Sequence, residues 1–168
     1  MVRHAKAERD SPRGDHGRHL NQKGLAQAAA LRAWTEDGGV LGDLRATVVV
    51  SDAARTLETF ERGLAGSPMC LRAIVDPLLY NGAREVDTDE VLAALAAVDT
   101  GEGDLGVVGH NPTVAYVVSD LCEDPAVAAA AMRDGYPLCA VAILSFETAT
   151  PQPGACHLEF FAAPQLPD

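Results

Sequence analysis

Two histidines stand where short apolar runs end, and an arginine directly precedes the first of them. His4 follows Val2-Arg3, and His110 follows Val107-Val108-Gly109. A short apolar run that ends in this way is typical of a buried strand, and open α/β sheets bind ligands outside the carboxyl ends of their strands. If both strands end at one edge of a sheet, these two imidazoles and the guanidinium would converge on one anion.

The residues after His110 predict the start of a helix. Asn111 is a good N-cap residue, and Pro112 suits the first helical position because its missing N–H costs nothing there. The N-terminus of a helix offers free N–H groups and the positive end of the helix dipole. This junction would therefore also favour an anion.

A third candidate cation is Arg55, in the first turn of a helix predicted to begin after a strand at residues 47–50. A positive charge there opposes the helix dipole, at a cost of a few tenths up to about 1 kcal/mol unless an anion lies in front of it. The alternative is that Arg55 turns outward and pairs with Asp52 or Glu58. Together with the two histidine segments, Arg55 completes a set of groups suited to gripping a phosphoryl group.

The elements that must position these groups alternate along the chain. Predicted helices follow the cap residues Asn21, Ser51 (over residues 52–65), Asp87, Asn111 and Asp124. Predicted strands are one that ends at His4 and others at 47–50, 70–75, 105–108, 138–144 and 157–161. This order predicts a three-layer α/β/α sandwich with a mostly parallel central sheet and an antiparallel C-terminal edge strand.

The first strand is short, because only two apolar residues precede Arg3, whereas a central strand normally needs about five residues. Either this strand is unusually short, or the natural start of the protein lies upstream of Met1.

Length and charge limit the function classes. The 168 residues, 48% of them hydrophobic, predict a single domain over residues 1–168. With 13 Lys+Arg against 24 Asp+Glu, the formal net charge is -11, which argues against binding to nucleic acid or to anionic membranes. A phosphate site stays compatible with this charge, because a few local arginines outweigh distant surface carboxylates.

Two further features predict a cytoplasmic protein. No run approaches the roughly 20 apolar residues that cross a bilayer, and the first residues lack the apolar core of a signal peptide. The four cysteines, Cys70, Cys122, Cys139 and Cys156, are widely spaced, which favours reduced and mostly buried thiols over a disulfide framework.

The segment around His4 resembles a known family. Arg3-His4, followed by Ala5-Lys6-Ala7-Glu8, resembles the signature of the histidine phosphatase superfamily, and the resemblance is closest to its small SixA-like phosphohistidine phosphatase branch. Further segments match in the same order: residues 15–21 with Gly24, 51–56 with Thr59, 79–81, 109–112 and 136–141. The matching segments span nearly the whole chain, and their joint order is more specific than any one of them.

The resemblance implies a phosphatase that needs neither a metal nor another cofactor. His4 would attack phosphorus in line with an unprotonated ring nitrogen, and water would then hydrolyse the phosphohistidine. Arg3, Arg55 and His110, the last in its protonated form, would hold the three equatorial oxygens as charge shifts in the transition state.

The resemblance also implies the kind of substrate. Arg18 and Asn111 are predicted substrate contacts, although a plain loop arginine is an equally good interpretation of Arg18. The substrate would be a phosphorylated protein or a small phosphorylated molecule.

The chain departs from larger members of the superfamily, which carry an acidic proton donor soon after the third strand. Only Tyr80, Glu85 and Asp87 lie near that position, and none is a clear candidate. An imidazole leaving group, whose conjugate acid has a pKa of about 6.5, needs such an acid far less than an alcohol does. The departure therefore favours a phosphohistidine or another activated phosphate over a sugar phosphate.

Three other interpretations remain open. Asp15, His16, His19 and His157 would be the ligands of a zinc site, but their glycine- and arginine-rich setting suits a loop better. A phosphate- or phosphoprotein-binding module of the same fold would keep the pocket without turnover. A phosphoglycerate-mutase-like phosphotransferase is disfavoured, because the chain lacks insertions that would enclose a sugar phosphate.

Overall fold

Strands and helices alternate along most of the chain. The computed structural model describes residues 1–80, 82, 87–101, 103–148 and 150–166. In chain order the elements are β1 (Val2–Arg3), α1 (Gln22–Ala33), β2 (Ala46–Val50), α2 (Ala54–Gly63), β3 (Cys70–Val75), a 3₁₀ turn (Pro77–Leu79), α3 (Thr88–Ala96), β4 (Asp104–Gly109), α4 (Thr113–Leu121), α5 (Pro125–Ala131), β5 (Val141–Ser145) and β6 (His157–Ala162).

The six strands form one mixed sheet in the order β3-β2-β4-β1-β5-β6. The β2–β3, β2–β4 and β1–β4 pairs are parallel, whereas β5 pairs antiparallel with β1 and with the edge strand β6. The predicted mostly parallel sheet with an antiparallel C-terminal edge strand is confirmed. Val108 pairs with both Val2 and Val50, so β1, β2 and β4 end at the same level and their following residues meet at one edge.

Helices cover both faces of the sheet, because the central strands are apolar on both sides. Val48 and Val50 of β2 pack with Ala28 and Leu31 of α1, whereas Val49 packs with apolar side chains of α3 and α4. α5 packs with α4 in a further cluster that reaches β5 and β6. The three-layer arrangement predicted from the order of elements is therefore confirmed.

Three of the predicted helix caps are confirmed. The Asn21 side chain accepts a hydrogen bond of 3.0 Å from the Gly24 N–H, the Asp87 side chain accepts one of 3.0 Å from the Glu90 N–H, and the Asp124 side chain accepts one of 2.8 Å from the Ala126 N–H. Each bond satisfies one of the N–H groups that the first turn of a helix leaves without a partner.

Two other caps are wrong. α2 spans Ala54–Gly63 rather than residues 52–65, and the residue in its cap position is Ala53 rather than Ser51. α4 begins at Thr113 with Pro112 in the cap position, so Asn111 does not cap it. In both places the chain makes an additional turn after the strand, and the polar residue is left beside the sheet edge instead of on the helix.

Among the described residues, no helix combines the length and the apolar character that crossing a bilayer requires.

Candidate active site

The imidazoles of His4 and His110 lie side by side at the sheet edge. Their ring centroids are 5.2 Å apart, and both residues are buried, with 8% and 5% of their surface exposed. The backbone holds the two residues next to each other, because the His4 N–H donates a hydrogen bond of 3.0 Å to the Gly109 carbonyl. This bond continues the β1–β4 pairing by one residue. The parallel register therefore brings together two histidines that are 106 positions apart in the sequence.

The segment after His4 is held by α1 and α2. The Ala5 N–H donates to the Thr59 hydroxyl of α2 at 3.0 Å, and the Lys6 carbonyl accepts from the Asn21 N–H at 3.0 Å. Gly24 of α1 sits against the same carbonyl, and a Cβ at this position would lie 2.1 Å from the Lys6 oxygen. Glycine is thus required where α1 approaches the strand-to-loop transition behind His4.

A single hydrogen bond sets the protonation of the His4 ring. Nδ1 lies 2.7 Å from the carbonyl oxygen of Ala5, and because a carbonyl only accepts, Nδ1 carries the hydrogen. Burial lowers the pKa of His4 to about 4; the Ala5 bond opposes this, and the charges of Arg55, Arg3 and Arg18 add to it. At neutral pH the other nitrogen, Nε2, is therefore unprotonated and carries a free lone pair.

Ser51 holds the second imidazole. Its fully buried hydroxyl lies 2.8 Å from Nε2 of His110, whereas the buried Nδ1 of His110 has no hydrogen-bond partner within the described part of the chain. Burial, followed by the charges of His4 and Arg55, lowers the pKa of His110 to about 2. His110 is therefore neutral in the free site; the protonated form that the resemblance implies belongs to the phosphate-bound site, because a phosphate dianion beside His110 would raise that pKa.

Two nitrogens of the Arg3 guanidinium differ in their partners: Nη1 donates a hydrogen bond, and the buried Nε has no partner among the described residues. The Nη1 hydrogen bond to the carbonyl oxygen of Tyr136 anchors the side chain. Arg3 is one of the charges that depress the pKa of His4, so the guanidinium lies close enough to that ring to affect it. Arg3 thus keeps a buried N–H without a partner in the described part of the chain, while its charge acts on His4.

Arg55 turns inward, with only 6% of its surface exposed. Its Nη1 donates to the Asp15 carbonyl at 2.7 Å and its Nη2 to the Asp15 carboxylate at 3.0 Å, while Cζ lies 5.7 Å from the centre of the Tyr80 ring. The alternative of an outward pair with Asp52 or Glu58 is wrong, because these carboxylates contact other residues.

Asp15, in the loop after β1, binds both Arg18 and Arg55. This role was not predicted from the sequence. Its carboxylate accepts hydrogen bonds from Arg18 at 2.6 Å, from Arg55 at 3.0 Å and from the Tyr80 hydroxyl at 3.0 Å. Burial opposes ionisation of Asp15, but the Tyr80 bond and the two arginines outweigh it and lower the pKa to about 2. The i,i+3 spacing of Asp15 and Arg18 predicts the ion pair between these two residues, but nothing in the sequence predicts the contact of Asp15 with Arg55.

Of the three predicted proton donors, the structure describes Tyr80 and Asp87. The Tyr80 ring packs edge-on against His110 at 5.4 Å, and burial followed by its bond to Asp15 raises the pKa of the hydroxyl. Asp87 is exposed and caps α3. Glu85 lies outside the described residues.

The two predicted substrate contacts lie on different loops. Arg18 is half-buried, binds Asp15 and the Glu8 carbonyl, and contributes to the low pKa of His4. Asn111 is exposed in the turn before α4. At the start of α4 the Val114 N–H donates to the His110 carbonyl at 2.9 Å, so this group is not one of the free N–H groups predicted at this junction.

The histidines of the alternative zinc site lie apart. His16 contacts Asp52 at 3.0 Å, His19 contacts Glu58 at 2.7 Å, and His157 contacts Glu123, three separate carboxylates. Within the described ranges, no group of three or more His, Cys, Asp and Glu side chains could hold a metal ion.

Solved structures share this fold over nearly the whole chain. The candidate phosphohistidine phosphatase SixA from Agrobacterium tumefaciens is 25% identical with a TM-score of 0.75, and covers 97% of this chain and 95% of its own. The corresponding protein from Nakamurella multipartitia is 26% identical with a TM-score of 0.76, over 98% and 94% of the two chains. The protein histidine phosphatase SixA, solved with tungstate, is 23% identical with a TM-score of 0.74, over 97% and 94%.

No protein-family model and no curated protein sequence matches the chain. The resemblance predicted from the motifs is confirmed by the solved structures.

Proposed function

We propose that this chain, a phosphatase of the histidine phosphatase superfamily, hydrolyses protein phosphohistidine or a similarly activated small phosphorylated molecule through a covalent phosphohistidine on His4. No metal takes part in the proposed steps. The proposal goes beyond the shared fold, because it assigns both the leaving group and the roles of individual residues.

The observation that carries the proposal is a pair of buried nitrogens without partners in the described part of the chain, on two neighbours of His4: Arg3, which precedes it in β1, and His110, whose ring centroid lies 5.2 Å from that of His4. Arg3 Nε and His110 Nδ1 have no hydrogen-bond partner among the described residues. A buried polar group without a partner costs about 1–3 kcal/mol, so folded proteins rarely leave one without a functional reason. The oxygens of a phosphoryl group would satisfy both nitrogens at once.

His110 is suited to donate to a phosphoryl oxygen even when neutral. If the Ser51 hydroxyl donates its hydrogen to Nε2, the ring hydrogen resides on Nδ1, the nitrogen without a partner. As negative charge shifts on the phosphoryl oxygens, a proton taken up by His110 would convert this bond into a stronger, charge-assisted one.

The first step forms a bond between His4 Nε2 and phosphorus while the bond from phosphorus to the leaving nitrogen breaks. The leaving imidazole keeps the electron pair of the broken bond and takes a proton from solvent. Arg3 and Arg55 stabilise the charge on the equatorial oxygens. In the second step, water attacks phosphorus, inorganic phosphate leaves, and His4 regains its lone pair.

The acid–base groups of the site favour an activated phosphate. Asp15, whose pKa is about 2, is ionised at neutral pH and cannot donate a proton. The Tyr80 hydroxyl has a raised pKa and already donates to Asp15, and Asp87 is used in capping α3. An alkoxide leaving group would need a strong acid, whereas the imidazole of a phosphohistidine leaves without one.

The test compares phosphohistidine protein, an aryl phosphate and a sugar phosphate with the native chain and with His4→Ala. We expect the order of rates to follow leaving-group quality, with the sugar phosphate slowest, and we expect His4→Ala to abolish all turnover. Quenched native enzyme should contain a labelled phosphoryl group that is labile to acid and stable to base.

Two outcomes would contradict the proposal. Equal rates on sugar phosphate and phosphohistidine would remove the argument from the leaving group. Tight binding of phosphate with no turnover and no labelled His4 would identify a binding module instead.

A further inference from the structure

The second proposed step releases a proton, and the residues assigned so far do not accept it. When water attacks phosphorus, a base must take one of its hydrogens. His4 is bonded to phosphorus at this moment, and His110 donates to a phosphoryl oxygen. Asp15 accepts hydrogen bonds from two arginines and from the Tyr80 hydroxyl, and its pKa of about 2 makes it a weak base. A side-chain base for this water therefore has to be another residue.

His16 lies at the rim of the same site. Its ring packs edge-on against Tyr80 with the centroids 4.7 Å apart, and the Tyr80 ring in turn packs against His110 at 5.4 Å. After burial and the charges of His4 and Arg55, the charge of His16 also lowers the pKa of His110. The His16 side chain is 45% exposed, whereas His4 and His110 are buried. In-line attack brings the water from the side opposite to His4. A half-exposed imidazole beside the buried pair is placed for a water that arrives from solvent.

Asp52 orients the His16 ring. Oδ1 of Asp52 lies 3.0 Å from Nε2 of His16, and the Ala54 N–H holds the loop in place by donating to the His16 carbonyl at 3.0 Å. This Oδ1 atom is buried and has no aligned hydrogen bond with any described residue. Catalytic hydrogen bonds in free sites are often poorly aligned and tighten when the substrate binds. Because a carboxylate only accepts, it favours the hydrogen on Nε2, and neutral His16 then carries its lone pair on Nδ1.

We propose that His16 is the general base of the second step and that Asp52 is its positioning residue. This inference rests on the proposed function, because it needs a phosphoryl group on His4. The water oxygen bonds to phosphorus, the bond from phosphorus to His4 Nε2 breaks, and His4 keeps the electron pair of that bond. The proton of the water passes to Nδ1 of His16. The Asp52 carboxylate stabilises the resulting imidazolium until the proton is lost to solvent.

The test measures the two steps separately in the full chain by rapid quenching with labelled phosphohistidine protein. In His16→Gln we expect phospho-His4 to form within about twofold of the native rate and to decay about 100-fold more slowly, so that labelled enzyme accumulates. Asp52→Asn should slow the same decay about tenfold. The double variant should decay no more slowly than His16→Gln, because Asp52 acts through His16.

His19→Gln is the matched control. His19 belongs to the same loop, its side chain is 52% exposed, and it pairs with another carboxylate, that of Glu58, at 2.7 Å. We expect native rates for both steps in this variant.

Two outcomes would overturn the inference while the proposed function stands. Native decay of phospho-His4 in His16→Gln would show that another group accepts the proton. An equal slowing of both steps would show that His16 only orders the loop that carries Asp15. If the native chain formed no phospho-His4 at all, the proposed function itself would fail, and this inference with it.

Discussion

The Ser51 hydroxyl lies 2.8 Å from Nε2 of His110, and this contact leaves Nδ1 as the ring nitrogen without a partner. On the proposed function, Ser51 is a positioning residue: it orients the imidazole and determines which nitrogen carries the hydrogen. Ser51 belongs to the turn after β2, which is aligned with β4 through the Val50–Val108 pair.

Substituting Ser51→Ala should lower kcat while the fold persists. Loss of a hydrogen bond worth about 1–2 kcal/mol in the transition state corresponds to roughly a 5- to 30-fold decrease. We expect KM to change less than kcat, because His110 would lose its orientation rather than its place in the pocket. Steady-state kinetics with phosphohistidine protein measure both values.

Ser67→Ala is the matched control, because Ser67 is also buried and its hydroxyl donates to the Leu64 carbonyl, away from His110. A decrease in kcat of similar size in both variants would show that Ser51 acts through stability alone.

Arg55→Lys should reduce kcat/KM by at least about 100-fold. The guanidinium is held by two hydrogen bonds to Asp15 while it lies near the His4 ring, and a lysine ammonium cannot reproduce this planar geometry. A 100-fold loss corresponds to about 2.7 kcal/mol of transition-state stabilisation. Arg62→Lys, an exposed substitution in the last turn of the same helix, should retain native kinetics. Native kinetics in Arg55→Lys would exclude a role for the guanidinium in holding phosphoryl oxygens.

Asp15→Asn should strengthen the binding of inorganic phosphate. The Asp15 carboxylate neutralises part of the positive charge of Arg55 and Arg18, and an amide of the same shape does not. Removing one charge near a partly buried site should lower the inhibition constant for phosphate about 5- to 10-fold. Competitive inhibition measured at low ionic strength gives this constant.

Asp10→Asn is the control for Asp15→Asn, because Asp10 is an exposed acid in the same loop. Weaker phosphate binding by Asp15→Asn, with Asp10→Asn unchanged, would mean that Asp15 serves chiefly to order Arg55.

Acid should destabilise the protein through its two buried histidines. The pKa values of His4 and His110 are about 4 and about 2, below the value of about 6.5 expected for an unfolded chain. Between pH 6.5 and 4 the unfolded chain therefore binds more protons than the folded one, and the free energy of unfolding falls as the pH falls. Each histidine contributes up to about 1.4 kcal/mol per pH unit in this range.

Denaturant unfolding of His110→Asn across this pH range should show a slope that is smaller by about one proton. His157→Asn, at an exposed position on β6, is the comparison variant. If the slope of His110→Asn equalled that of the native chain, the imidazole would be protonated in both states, and the neutral His110 described above would be incorrect.

Much of the fold is determined by local patterns in the sequence. The β-branched run at residues 47–50, the caps Asn21 and Asp87, and the alternation of apolar segments predict the elements, their order and the layering, because each depends on neighbouring residues. The errors at Ser51 and Asn111 have one cause. A polar residue after a strand suits a helix cap and a sheet-edge contact equally well, and only the path of the chain through the turn decides between them.

The sequence by itself determined that histidines and arginines lie at the ends of parallel strands or in the first turn of the helix that follows, because strand endings and helix starts are short-range features. The tertiary structure alone decided that Arg55 faces Asp15 and that Ser51 bonds to His110. These features depend on strand register and on contacts between residues tens of positions apart. The free energy of such contacts comes from burial and desolvation, and these cannot be predicted from neighbouring residues in the sequence.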